Sequence, residues 1–143
     1  MDVDPAPLRL PLATAVLLRG KTEKTSEAYL AALGEAMQPY RERRYAESVR
    51  QLASLESRYP KAVEPAFYLG VSQLLSGEYS NAIASLEEAR KLGGDALNDD
   101  IAWYLAIARE RTGNWNSAAE LLQSLCANDG SYRAAACKGL GHP

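Results

Sequence analysis

Two stretches of this chain carry nearly the same residues in the same order, 36 positions apart. The matching residues are Phe67, Gly70, Gly77, Tyr79, Ala82 and Leu86 in one stretch, and Trp103, Ala106, Gly113, Trp115, Ala118 and Leu122 in the other. A fainter copy lies 34 positions earlier, with Leu33, Ala36, Met37, Tyr45, Ser48 and Leu52 in corresponding places. A period of 34 to 36 residues with two helix-length halves predicts stacked helical hairpins.

Small residues recur where the two helices of each hairpin have to cross. They are Ala36, Gly70 and Ala106 in the first helices, and Ser48, Ala82 and Ala118 in the second helices. Antiparallel helices approach to the short end of the usual ~8–10 Å spacing only where the side chains at the crossing are small. Gly77 and Gly113 fall between the helices, where glycine reaches a positive φ most easily.

This pattern resembles the tetratricopeptide repeat, in which Leu-Gly is followed by a turn glycine, an aromatic residue, an alanine and a bulky residue. Leu69-Gly70 and Leu105-Ala106 carry the first part of that motif, and the resemblance covers roughly residues 26–138. The first copy departs from it, with Pro39 inside the first helix and Arg43 in place of the turn glycine. The resemblance implies an all-α, right-handed superhelical stack of about three hairpins with a C-terminal capping helix.

The chain divides into an arm, a repeat domain and a tail. Residues 1–24 are rich in proline and leucine and predict an extended arm, because the prolines block early helix formation. The expected hairpins span about 26–60, 64–93 and 99–127, within a domain at 25–138. A capping helix is expected at 131–138, and a tail at 139–143.

Composition and charge argue against nucleic acid and membranes as partners. The chain is 47% hydrophobic and 24% charged, with a net charge of −2. We expect no nucleic-acid partner, because nucleic acid favours a basic face. No apolar run approaches the ~18 residues that a membrane-spanning helix needs, so no membrane contact is expected within this chain.

The residue types that catalysis needs are scarce. The single histidine, His142, lies next to the C-terminus, and no phosphate-binding glycine loop is present. We therefore expect no catalytic, cofactor-binding or metal-binding residues, no cofactor, and no enzyme activity. We expect Cys126 and Cys137 to be free thiols. A disulfide between them is the alternative in an oxidising compartment.

In tetratricopeptide arrays the first helix of each hairpin lines a concave groove that binds protein or peptide. Helical spacing assigns ten residues to that groove: Leu33, Met37, Tyr40, Arg41, Phe67, Val71, Leu74, Trp103, Ile107 and Arg111. Leu33, Phe67 and Trp103 stand where related chaperone-binding domains hold a peptide carboxylate with Lys and Asn. The groove, edged by Arg41, Glu64, Asp100 and Arg111, is therefore expected to bind an apolar strand or an amphipathic helix. Burial of Val71 and Ile107 between hairpins is an equal alternative.

A second, weaker resemblance is to the extracytoplasmic repeat region of bacterial membrane proteins that begin with a zinc-finger, anti-sigma-like domain. Leu17-Leu18-Arg19-Gly20 and Tyr45-Ala46-Glu47-Ser48 carry it. It implies a structural, self-assembling or regulatory domain of a larger protein as the alternative function. The compartment stays open between the cytoplasm and, if an upstream membrane helix has been removed, the bacterial extracytoplasmic space.

Two further expectations concern apolar side chains. The repeat pattern predicts that Trp115 is buried within its hairpin and that Trp103 is more accessible. Residues 8–18 are too apolar for a solvated linker, so we expect them along the hairpins or in the groove of a neighbouring molecule, as a possible homodimer contact.

Overall fold

The computed structural model describes residues 23–93 and 95–141 of the chain. These residues form eight α-helices and one short 3-10 helix. They are α1 (Glu23–Ala36), α2 (Gln38–Arg41), α3 (Tyr45–Arg58), α4 (Val63–Leu75), α5 (Tyr79–Leu92), the 3-10 helix Asp95–Leu97, α6 (Asn98–Arg111), α7 (Trp115–Ala127) and α8 (Arg133–Gly139). The predicted arm and His142 lie outside the described residues.

The helices pack in chain order as three hairpins and a cap. The hairpins pair α1 and α2 with α3, α4 with α5, and α6 with α7; α3 also packs on α4, α5 on α6, and α7 on α8. The predicted all-α repeat stack is confirmed, and the described residues contain no strand. None of the helices in the described ranges is long and apolar enough to cross a membrane.

The small residues lie at the helix crossings. Gly70 of α4 meets Leu86 of α5 so closely that a Cβ atom at Gly70 would lie 2.6 Å from the Leu86 Cγ atom. Between the first and second hairpins, the hydroxyl oxygens of Ser48 and Ser72 lie 2.8 Å apart and share a hydrogen bond. Both serines are fully buried. Small side chains therefore set the spacing within a hairpin and between hairpins.

The turns explain where the first repeat departs from the other two. Gly77 and Gly113 have φ angles of 82° and 83°, and Arg43 adopts the same left-handed conformation at 60°. Pro39 does not continue the first helix: α1 ends at Ala36, and α2 begins one residue before the proline. A proline ring clashes with the carbonyl four residues earlier, so it is tolerated in the first turn of a new helix.

A disulfide joins the last two helices. Cys126 of α7 and Cys137 of α8 are bonded, with their Cα atoms 4.9 Å apart. The expectation of free thiols is therefore wrong. The antiparallel return of α8 along α7 brings the two cysteines within bridging distance. The bond fixes α8 to α7. With seven residues, α8 is too short to be stable as an isolated helix.

Candidate protein-binding surface

We use the term first-helix face for the predicted groove residues of the first helices together with the carboxylates Glu64 and Asp100. Its members are Leu33 from α1, Met37 from the junction of α1 and α2, Tyr40 and Arg41 from α2, Glu64, Phe67, Val71 and Leu74 from α4, and Asp100, Trp103, Ile107 and Arg111 from α6. Spacings of three and four residues place the α4 set and the α6 set each on one side of its helix.

Most of the predicted groove residues are buried. Seven of the ten have at most 7% of their surface exposed: Leu33, Met37, Tyr40, Phe67, Val71, Leu74 and Ile107. Their side chains are buried in this conformation, and their role in binding a partner stays a prediction. For Val71 and Ile107, burial was the alternative that the sequence left open. Helical spacing alone did not reveal that these residues are buried.

Aromatic rings connect the three hairpins along this face. The Tyr40 ring meets Tyr68 edge to face at 5.3 Å between centroids, Tyr68 meets Phe67 at 4.8 Å, and Phe67 meets Tyr104 at 6.1 Å. Edge-to-face pairs at such distances contribute about 0.5–1.5 kcal/mol beyond their buried area. The sequence signal for this connection was Tyr68 and Tyr104, each directly after the aromatic residue that opens a repeat.

Two buried carboxylates lie within the apolar face. Glu64 and Asp100 occupy equivalent positions 36 residues apart in the first turns of α4 and α6, and are 4% and 3% exposed. The Tyr29 hydroxyl donates a hydrogen bond of 2.7 Å to Glu64, and the Tyr132 hydroxyl donates one of 2.5 Å to Asp100. A buried carboxylate is costly without strong partners, and a tyrosine hydroxyl supplies one hydrogen bond to each of the two. The sequence had placed both residues only at the edge of the groove.

Three predicted residues keep solvent-accessible surface: Arg41, Trp103 and Arg111. The Arg41 guanidinium donates a hydrogen bond of 3.1 Å to the carbonyl of Gly34. The guanidinium of Arg111 lies 6.0 Å from the centre of the Tyr79 ring, within range of a cation–π contact. Trp103 is half-buried and stacks on Tyr132 at 5.3 Å with 19° between the ring planes.

Trp115 contradicts the sequence prediction, because 65% of its surface is exposed. Its equivalent in the middle repeat, Tyr79, is half-buried and lies beside Arg111 of the next first helix. After the last repeat the following helix is α8, which ends at Gly139 beside Leu122. Leu122 lies two turns, about 10 Å, along α7 from Trp115. The cap is therefore too short to cover the tryptophan.

A separate cleft of about 410 Å³ lies where α5, α6 and α7 meet. Positive and negative side chains both line this cleft, among them Arg90, Arg109, Asp99 and Glu120. Arg109 also forms an ion pair with Glu87 of α5, which ties the second hairpin to the third. Among the described residues no group of three or more His, Cys, Asp or Glu side chains could hold a metal ion.

Comparisons with known proteins agree on the architecture. A family model of the tetratricopeptide repeat matches residues 33–96 and 76–133. A chain of the solved CopN-Scc3 complex has a TM-score of 0.68 and 21% identity, over 81% of this chain and 69% of that chain. The Yersinia enterocolitica type III secretion translocator chaperone SycD has a TM-score of 0.68 and 15% identity, over 89% and 87% of the two chains. At these identities the likeness concerns the fold, and no curated protein matches the sequence.

Proposed function

The chain belongs to the tetratricopeptide-repeat family, and from that premise we propose that it is a protein-interaction module whose first-helix face binds an apolar partner segment carrying a basic residue. The observation that carries the proposal is the pair of carboxylates, Glu64 and Asp100, buried in an otherwise apolar and aromatic face. Apolar side chains supply affinity through buried area, and a carboxylate selects an Arg or Lys by a charge-assisted hydrogen bond.

The equivalent positions of the two carboxylates support recognition of one continuous segment. Glu64 and Asp100 belong to adjacent first helices, which lie side by side in a hairpin stack. An extended or helical segment laid across both helices can pass each carboxylate in turn. Recognition across successive repeats is how solenoid proteins use their concave surfaces.

The similar solved structures support a protein as the partner. One is named as a translocator chaperone, and the other is part of a complex of two named components. Neither name identifies the partner of this chain. They agree with a module that works by binding protein and performs no reaction of its own.

The proposal is tested by selecting peptides against the whole chain from a displayed library of random twelve-residue sequences. We expect the enriched peptides to be apolar with at least one Arg or Lys, and we expect the basic preference to be lost with Glu64→Gln and Asp100→Asn together. Asp129→Asn is the matched control, because the Asp129 carboxylate lies on the loop between α7 and α8 and is fully exposed. Selection of peptides that bind all variants equally would overturn the proposal.

Self-assembly is the alternative function, and sedimentation at increasing protein concentration separates it from partner binding. A stable dimer whose formation blocks the selected peptides would favour the structural role. A monomer that binds the peptides favours the interaction module.

The disulfide supports a second aspect of the proposal, which is that the module works in an oxidising compartment. Disulfides persist in secreted and extracytoplasmic proteins and are rare in the reducing cytosol. Alkylating free thiols at the moment of cell lysis tests this point. Cys126 and Cys137 should be unmodified without reductant and modified after reduction. Full modification of both thiols in the unreduced sample would place the working module in a reducing compartment.

A further inference from the structure

The Asp100 end of the first-helix face is in contact with the loop between α7 and α8, residues 128–132, which we call the Tyr132 loop. The Tyr132 ring stacks on Trp103 at 5.3 Å between centroids, and its hydroxyl donates a hydrogen bond of 2.5 Å to Asp100. Because Asp100 is 3% exposed, a partner cation reaches its carboxylate only when a covering side chain moves. Tyr132 is such a side chain, since it contacts both members of the face.

The Tyr132 loop and α8 bury few residues of their own. Residues 128–131 are exposed, and of the seven residues of α8 only Ala136 is buried. A helix of this length is unstable in isolation, and helices in proteins are stabilised mainly by the packing of an apolar face. The apolar face of α8 is small. The disulfide between Cys126 and Cys137 is therefore a main constraint that keeps α8 beside α7.

The disulfide also controls the position of Tyr132. Tyr132 is the N-cap residue of α8, and its carbonyl accepts a hydrogen bond of 2.8 Å from the backbone N–H of Ala136. Cys137 follows in the next position of the same helix. A displacement of α8 from α7 therefore moves Tyr132 as well. Neither cysteine is fully buried, which favours attack on the bond by a small dithiol from solvent.

We propose that the Cys126–Cys137 disulfide is a redox lock on the Asp100 end of the first-helix face. When a dithiol reduces the bond, the two cysteines take up two electrons and two protons and become thiols, and the dithiol becomes a disulfide. Helix α8 then separates from α7, Tyr132 leaves Trp103 and Asp100, and a basic side chain of the partner pairs with the carboxylate. The inference rests on the proposed function, because it describes the regulation of that same face.

Trp103 reports the release of Tyr132 without any partner. In the whole chain with Trp115→Phe, Trp103 is the remaining tryptophan. Dithiothreitol should raise the quenching of Trp103 by acrylamide toward that of the exposed Trp115, while the helix content falls by no more than the contribution of α8. Adding Cys126→Ser and Cys137→Ser should give the high quenching with and without dithiothreitol. The Trp103→Phe chain is the matched control, and its Trp115 should not respond.

Peptide selection against the whole chain, repeated in dithiothreitol, tests the effect on binding. The enriched basic peptides should bind the reduced chain severalfold more tightly than the oxidised chain. This gain should be lost with Asp100→Asn and kept with Asp129→Asn, the matched control. A gain that Asp100→Asn leaves intact overturns the lock, as does the absence of any gain.

Two outcomes of the fluorescence experiment also overturn the lock. One is unchanged quenching of Trp103 after reduction, and the other is a loss of helix content beyond that of α8. Neither outcome affects the peptide selection on the oxidised chain. Failure of the lock is therefore distinguishable from failure of the proposed function.

Discussion

Gly70 and Leu86 are in such close contact that a Cβ atom on the glycine would lie 2.6 Å from Leu86 Cγ and 2.8 Å from Leu86 Cδ2. Leu86 is fully buried, so its side chain has little space to move. We expect Gly70→Ala to destabilise the fold by about 1–3 kcal/mol through overpacking, despite the higher helix propensity of alanine. Gly70→Leu should cost more. Chemical denaturation measures both.

Gly34 provides the matched control for this prediction. It lies inside α1, and a Cβ atom there would meet nothing within 4 Å. Gly34→Ala should therefore raise the free energy of unfolding by up to about 1 kcal/mol, the helix-propensity difference. Equal effects of the two alanine substitutions would contradict the assigned helix crossing.

Arg43 is a site where a glycine should stabilise the protein. Its φ of 60° matches the turn glycines of the other two hairpins, and a side chain in this conformation costs roughly 1–2 kcal/mol. Arg43 is exposed, so its replacement leaves no cavity. Arg43→Gly should raise the free energy of unfolding by about 1 kcal/mol, and Gly77→Ala should lower it by a similar amount. A loss of stability in Arg43→Gly would show that the arginine side chain makes a compensating contact.

The sequence predicted the hairpins well because their determinants are local. Small residues at fixed spacing and glycines at the turns define each helix pair, whatever surrounds it. The sequence predicted the state of the candidate site less well, because exposure depends on what lies against a face. Helical spacing assigned Phe67 and Val71 of α4 to the groove, and both are buried. Trp115 was predicted to be buried and is exposed, because α8 ends before it reaches the tryptophan.

The exposure of the two tryptophans gives a spectroscopic prediction. In Trp103→Phe the remaining Trp115 should be quenched strongly by iodide, because 65% of its surface is exposed. In Trp115→Phe the remaining Trp103 should be quenched less, because it is half-buried and stacks on Tyr132. Trp115→Ala should change the free energy of unfolding by no more than about 0.5 kcal/mol. Stronger quenching of Trp103 than of Trp115 would contradict this arrangement of α8.

The disulfide should contribute measurably to stability. It closes a loop with a sequence separation of 11 residues, for which the chain-entropy relation gives about 3 kcal/mol. Cys126→Ser with Cys137→Ser should lower the free energy of unfolding by about this amount. Reductant should destabilise the wild-type protein and leave the double variant unchanged. An unfolding midpoint that is insensitive to reductant in both proteins would show that the bond is not formed in solution.

Glu56 provides a prediction about pH. Burial, together with repulsion from Glu88 on α5, raises the pKa of the Glu56 carboxyl above its usual range. Between the unfolded and folded pKa values, the folded protein keeps a proton that the unfolded chain releases, so stability falls as the pH rises through this interval. Glu56→Gln removes this pH-dependent loss of stability. At pH 7 the variant should have a slightly higher free energy of unfolding than the wild type. The margin should disappear below about pH 4, where the carboxyl group is protonated in both the folded and the unfolded protein.

Glu27→Gln, at an exposed position of α1, is the control. An advantage of Glu56→Gln that persisted unchanged to pH 3 would show that its origin is packing rather than ionisation.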